Sequence, residues 1–188
     1  MQPLSGCDKT EKWRQLNNFV YLCDMENEKS PKRVIVPGSF DPFTRGHEAV
    51  VEEALRLFDR VIIAVGTNVA KQGLLTVGAR EALIAELYAG NPRVEVRTYT
   101  SLTGDFAREC GAVAIVRGVR SAADFEYERN IAAVNRQLYP ELTTVVLYTP
   151  AEVAHVSSST VRELLRFGHT VDNFLPDGVD INKYLIRT

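Results

Sequence analysis

The chain has 188 residues, 45% of them hydrophobic, which is enough for one well-cored domain and too little for two of ordinary size. With 22 Lys+Arg against 24 Asp+Glu the formal net charge is −2, so no overall field recruits nucleic acid or an acidic membrane surface, and any anion site must be local. Three cysteines, Cys7, Cys23 and Cys110, without a C-x-x-C pair fit reduced cytosolic thiols rather than a disulfide framework or a zinc site.

Residues 1–32 mix Lys, Glu, Asp and Asn around one aromatic patch, Phe19 to Leu22, and end in the turn-prone Lys29-Ser30-Pro31-Lys32; a flexible extension outside the core is expected. The apolar run Phe19 to Cys23 is too short for a signal-peptide core, and no stretch approaches membrane-spanning length, so a cytoplasmic protein is expected. A polar segment leads from Met25 directly into the first strand, and Met25 is the expected natural start, with residues 1–24 outside the native protein.

From Arg33 to Thr188 a single domain is expected, in which short β-branched runs alternate with stretches of helical period. Strands are predicted at Arg33–Pro37, Arg60–Gly66, Arg93–Tyr99, Ala112–Arg117 and Thr143–Tyr148, each nearly all apolar or β-branched, as strands covered on two faces should be. The first helix shows Val50, Ala54 and Phe58 with Val51 and Leu55 at spacings of four, forming one stripe toward the sheet. Thr76 and Ser121 are expected to cap the second and fourth helices, Gly90, Gly111 and Gly168 to end helices in a left-handed conformation, and Pro176–Thr188 to form a short final helix. The fold class is α/β, a doubly wound five-stranded parallel sheet.

In such sheets ligands bind beyond the carboxyl ends of the strands, where strand order reverses. The segment after the first strand reads Pro37-Gly38-Ser39-Phe40-Asp41-Pro42-Phe43-Thr44-Arg45-Gly46-His47. It holds neither a G-x-G-x-x-G fingerprint nor a Walker A lysine loop, which removes the main support for dehydrogenase and P-loop readings. Gly46 would let the backbone come close to a ligand, and His47 stands at a helix start beside unpaired backbone N–H groups, a favourable place for phosphate. Later, Val156-Ser157-Ser158-Ser159 precedes the last helix; three hydroxyls at a helix start suit a triphosphate, and they also suit a plain N-cap. Arg117 and Arg120, three apart after the fourth strand, offer planar donors to phosphate or, alternatively, surface ion pairs with Glu126 and Glu128.

Gly38-Ser39-Phe40-Asp41-Pro42 with Gly46-His47 resembles the G-x-F-D-P-x-x-x-G-H signature of the Rossmann-like nucleotidyltransferase superfamily, and the serine run its I-S-S-S/T element. Arg117-Gly118-Val119-Arg120 with Asp124-Phe125-Glu126-Tyr127-Glu128 is similar to the R-G-[LV]-R and D-F-E-Y-E stretch of phosphopantetheine adenylyltransferases. The resemblance, which spans about Arg33 to Pro176, implies transfer of the adenylyl group of ATP to 4′-phosphopantetheine, giving dephospho-coenzyme A and pyrophosphate. It implies His47, Lys71 and Arg117 as catalytic residues. It assigns ATP to Ser39, Phe40, His47, Gly118, Val119, Arg120, Glu128, Ser157, Ser158 and Ser159, and phosphopantetheine to Ser39, Lys71, Thr103 and Arg117. Val153 stands where the family commonly has an aromatic residue. The resemblance further implies Mg2+ bound with ATP rather than in a protein carboxylate cage, and a homohexamer. Transfer to another acceptor such as nicotinamide mononucleotide, or a non-catalytic nucleotide-binding protein on the same scaffold, are the competing readings.

Overall fold

The backbone hydrogen-bonding of five apolar segments dictates the centre of the molecule. In the computed structural model, which describes residues 30–67 and 73–185, they form one parallel sheet: β1 (Arg33–Gly38), β2 (Arg60–Gly66), β3 (Val94–Tyr99), β4 (Ala114–Val119) and β5 (Thr143–Tyr148). The sheet order is β3-β2-β1-β4-β5, all neighbours parallel, so the chain winds outward from β1 in one direction and then returns to build the other half. Among the described residues, five α-helices alternate with and follow the strands: α1 (Arg45–Leu57), α2 (Val77–Leu87), α3 (Thr103–Glu109), α4 (Ala122–Leu138) and α5 (Ser158–Arg166).

Side-chain alternation sends each central strand to both faces. Val34, Val36, Val61, Ile63, Val65, Ala114 and Val116 join α1, α2 and α5 in one core, which includes Val51, Ala54, Leu83, Ile84 and Val161. Ile35, Ile62, Ala64 and Ile115 point the other way, onto Phe106 and Ala107 of α3 and onto Tyr139. The predicted α1 stripe is the buried face of that helix, with Val50, Val51, Ala54 and Leu55 buried and Phe58 packed at the core's edge. Thr76 and Ser121 cap α2 and α4 by accepting from the N–H groups of Ala79 and Asp124.

Four sequence-based expectations are corrected. β4 runs Ala114–Val119 instead of 112–117, because the Ala112 and Val113 N–H groups are spent on the carbonyls of Ala107 and Arg33 before the ladder opens at Val34↔Ala114. Arg93 lies just before β3, where its guanidinium gathers the carbonyls of Leu55, Phe58 and Asp59. Gly111 and Gly168 adopt φ of +62° and +75° as expected, but Gly90 is not left-handed; the turn there is closed by Asn91, whose side chain accepts from the Arg93 N–H. The expected final helix is, among the described residues, only a 3₁₀ turn at Ile181–Lys183, following another at Asp172–Phe174. Lys71 and the expected start at Met25 lie outside the described residues.

Two glycines separate backbone propensity from packing. A Cβ on Gly104 would lie 2.1 Å from the Tyr139 ring, whereas one on Gly78 would meet nothing within 4 Å. Thermal unfolding should show Gly104→Ala destabilised by about 1–3 kcal/mol through overpacking, and Gly78→Ala stabilised by about 0.5–1 kcal/mol through reduced backbone entropy in the unfolded chain.

Candidate functional site

The ladder between β1 and β4 consists of Val34↔Ala114 and Ile35↔Ile115 alone, while the β1–β2, β2–β3 and β4–β5 pairs continue for six positions each. Beyond Ile35 and Ile115 the two strands therefore part. This is also where strand order reverses, the usual ligand crevice of an open parallel sheet. A cavity of about 440 Å³ opens there, floored by the ends of β1 and β4 and walled by the first turns of α1 and α5. Ser39, Phe40, His47, Arg117, Gly118, Arg120, Glu128, Ser157, Ser158 and Ser159 all line it.

Arg117 bridges the parted strands. Its Nη1 donates to the Pro37 carbonyl on β1 at 2.8 Å, while Nε and Nη2 hold both oxygens of Glu128 on α4 at 2.7 and 2.6 Å. The surface ion-pair alternative is thus half right: the pair exists, but Glu128 is buried, 8% exposed, and the guanidinium is fixed at the cavity floor. A guanidinium carries five N–H groups, so two remain for a ligand. Glu128, expected to contact nucleotide, has both oxygens bonded to Arg117. Arg120 is more exposed, and its Nε pairs with Asp124 at 3.1 Å.

His47 occupies the third position of α1. Its Nδ1 accepts from the Thr44 backbone N–H at 3.1 Å and lies 2.9 Å from the Thr44 hydroxyl. An Nδ1 that accepts an N–H is unprotonated, so the proton of the neutral ring sits on Nε2. Phe40 meets the ring edge-on at 5.1 Å between centroids, and Phe43 packs on it at 5.5 Å. Burial, followed by the nearby charges of Arg120 and Arg117, pushes the imidazole pKa down from 6.5 to about 4. The ring is therefore a neutral Nε2–H donor beside two cations.

The turn that carries Ser39 and Phe40 is held by Asp41. Phe40 has φ of +49°, a left-handed conformation that costs a residue with a Cβ about 1–2 kcal/mol. Asp41 accepts from the N–H groups of Leu74 and Leu75 at 2.8 Å each. Two charge-assisted bonds of about 1.5–3 kcal/mol each outweigh that strain. Gly38 admits the Phe40 ring, which a Cβ would meet at 2.8 Å.

Several of the expected contact residues also have structural partners. Gly46 makes room for the Val156 carbonyl, 3.2 Å from where a Cβ would stand, so the loop before α5 comes close to it, and it also lines the cavity. Gly118 likewise admits Val50 of α1. Val119 is 1% exposed and off the cavity, with its carbonyl bound to the Thr149 N–H. Ser157 caps α5 through the Thr160 N–H, as the N-cap reading expects, while Ser158 donates to the Pro42 carbonyl and ties α5 to the turn after β1. Thr103 begins α3 after β3, outside the cavity lining, and its hydroxyl bonds to the Tyr99 hydroxyl at 3.0 Å. The sequence reading missed Arg162, which lines the cavity, donates to the Asp41 carbonyl at 2.7 Å and reaches Ser159. Its spacing of three from Ser159 on a helix was the available signal.

A family model described as cytidylyltransferase-like matches residues 35–164. The phosphopantetheine adenylyltransferase of Porphyromonas gingivalis (strain ATCC 33277) is 51% identical over 141 residues, covering 75% of this chain and 92% of that protein. The phosphopantetheine adenylyltransferase of Bacteroides thetaiotaomicron is 46% identical over 151 residues, covering 80% and 99%. Among solved structures, a bifunctional NMN adenylyltransferase/ADP ribose pyrophosphatase from Francisella tularensis, complexed with AMP and a Mn ion, superposes with a TM-score of 0.60 at 15% identity over 80% of this chain and 46% of that one, a likeness of fold.

The shifted histidine gives a direct test. Between about pH 4 and 6.5 the unfolded chain binds the His47 proton and the folded chain does not, so this ring costs stability as pH falls through that window and costs nothing above it. Nitrogen-15 NMR of the imidazole should show His47 neutral, Nε2-protonated, and titrating near pH 4; a midpoint near 6.5 would contradict the assignment.

Proposed function

This chain belongs to the phosphopantetheine adenylyltransferase family of cytidylyltransferase-like nucleotidyltransferases, and on that premise we propose how its cavity carries out the family's reaction. The activity is transfer of the adenylyl group of ATP to 4′-phosphopantetheine, yielding dephospho-coenzyme A and pyrophosphate. What supports the site assignment is that the Gly38–Pro42 turn with Gly46-His47, the Arg117–Arg120 strand end and the serine run, far apart in sequence, share one cavity at the strand crossover.

The acceptor phosphate attacks the α-phosphorus of ATP in line, the new P–O bond forming as the bond to pyrophosphate breaks. A phosphate nucleophile is already ionised, so no general base is required. The barrier lies in repulsion between anions and in their alignment, which fixed donors and cations reduce. His47 donates Nε2–H to the α-phosphate as charge builds there; being neutral, it holds the proton throughout. Ser39 and the remaining Arg117 N–H groups, with Lys71, receive the acceptor phosphate. Arg120, Arg162 and the free N–H groups at the start of α5 receive the triphosphate.

Three arginines face two carboxylates, Asp124 and Glu128, across this cavity, so its own charge is a small positive excess. That excess is far below what two polyphosphate anions bring. Both carboxylates are held by arginines, and no group of three or more metal-binding side chains occurs among the described residues. The donor set suits phosphate rather than a cation, so magnesium enters as MgATP, held by phosphate oxygens and water.

We assign the protein to the cytoplasm; no described helix is long and apolar enough to cross a membrane. We further propose a homohexamer. α4 buries only Glu128 and leaves Tyr127, Val134 and Leu138 largely exposed, with Tyr148 of β5 at 75%, an apolar surface that supports self-association. Residues 1–32 are proposed to lie outside the catalytic domain.

Pyrophosphate release with MgATP tests the substrate assignment. Turnover is expected with 4′-phosphopantetheine and not with nicotinamide mononucleotide; turnover with the nucleotide alone would overturn the acceptor, and no turnover with either would favour a non-catalytic protein.

A further inference from the structure

Asp41 and Arg80 lie behind the cavity, and the mechanism above uses neither. Their side chains are 8% and 10% exposed and stand 3.8 Å apart at Oδ1 and Nε. Each is satisfied by backbone of a different segment. Asp41 takes the Leu74 and Leu75 N–H groups; Arg80 gives Nε to the Leu75 carbonyl at 3.0 Å and Nη1 to the Ser39 carbonyl at 3.1 Å. The result is a closed circuit: Asp41 to Leu75, Leu75 to Arg80, Arg80 to Ser39, and Ser39 back along the chain to Asp41. Gly73 leaves the circuit room, since a Cβ there would lie 2.7 Å from Asp41 Oδ2.

Between the two ends of that circuit sits Phe40, left-handed and pressed edge-on against the His47 ring. Two further bonds extend the constraint to the opposite wall, from Arg162 to the Asp41 carbonyl and from Ser158 to the Pro42 carbonyl. A rigid planar fork can serve two carbonyls on separate segments at once, which a lysine ammonium on a flexible stem does poorly. Buried charged pairs are often no more stabilising than apolar packing, so orientation is the property such a pair supplies best here.

We propose that Asp41 and Arg80 are positioning residues for adenylyl transfer: they touch no substrate, and they fix the Ser39–Phe40 turn so that Phe40 holds His47 aligned on the reacting phosphate. The proposal rests on the role given to His47 above.

Arg80→Met and the isosteric Asp41→Asn, each made with His47 intact and with His47→Ala, separate this from a general loss of structure. Pyrophosphate release and ATP affinity are measured at a temperature where circular dichroism shows every variant folded. His47→Ala alone is expected to lower kcat about a hundredfold. With His47 intact, Arg80→Met and Asp41→Asn should each lower kcat about tenfold or more, the scale of a misplaced donor, with ATP affinity little changed. In the His47→Ala background the same substitutions should cost clearly less, since the aligned ring is gone and only the Ser39 contact remains to be disturbed. An equal fold-loss in both backgrounds, or unchanged kcat with His47 intact, would overturn the proposal. Should Arg80→Met not fold, Asp41→Asn carries the same comparison. Near-normal kcat in His47→Ala alone would overturn the role of His47, and the proposal with it.

Discussion

The site depends on β1 and β4 staying paired for two positions and then separating. Two neighbouring parallel strands normally satisfy each other's backbone groups along their whole length. Here the register stops at Ile35↔Ile115, and the groups beyond it turn to other partners. One of these, the Pro37 carbonyl, is taken by Arg117, so a side chain replaces a ladder bond and at the same time brings a guanidinium to the floor of the opening. The bidentate grip on Glu128 fixes that guanidinium against α4. Glu128 is buried, so neither partner can leave without stranding a charge, and that cost keeps the crevice floor in one arrangement.

A second constraint follows from the first. With Arg117 and Arg120 close by, a protonated imidazole would face two like charges in a partly buried place, and both effects favour the neutral ring. The Thr44 N–H then selects the tautomer. Cationic and neutral donors are thereby separated: in the proposed mechanism the arginines supply charge to phosphate, and His47 supplies a directed hydrogen bond from a ring whose protonation does not change near neutral pH. Such a division suits a reaction that moves an adenylyl group between anions and needs no net proton transfer at the enzyme.

The layered fold was plain in the sequence because both-face burial leaves continuous apolar strands, and these are hard to mistake when helices of clear period lie between them. Strand ends were less legible. Ala112 and Val113 read as strand, yet the Ala112 N–H turns back to the Ala107 carbonyl and Val113 makes only the leading bond to Arg33 of β1, which only the three-dimensional register reveals. At the cavity, the residues that the contiguous motifs singled out, such as Ser39, Phe40, His47, Arg117, Arg120 and the serine run, are indeed among those lining it. What sequence could not assign was the partner of each group. Glu128 faces Arg117, Gly46 faces the Val156 carbonyl, and Asp41 reaches backbone more than thirty residues away at Leu74 and Leu75. Arg80 shares a helix face with the buried Leu83 and Ile84, but its two carbonyl acceptors sit on separate segments that the sequence does not bring together. Thr103, placed by resemblance alone, starts α3 outside the cavity lining, with its hydroxyl on that of Tyr99.

The central claim is that fixed donors in one cavity align a single direct displacement at the α-phosphorus, with no enzyme-bound intermediate. Its most direct test is the stereochemical course of transfer from ATP made chiral at the α-phosphorus by sulfur and oxygen isotope substitution. One in-line displacement predicts inversion of configuration in the dephospho-coenzyme A product; retention would require two displacements through a covalent adenylyl-enzyme and would contradict the role of every residue assigned here.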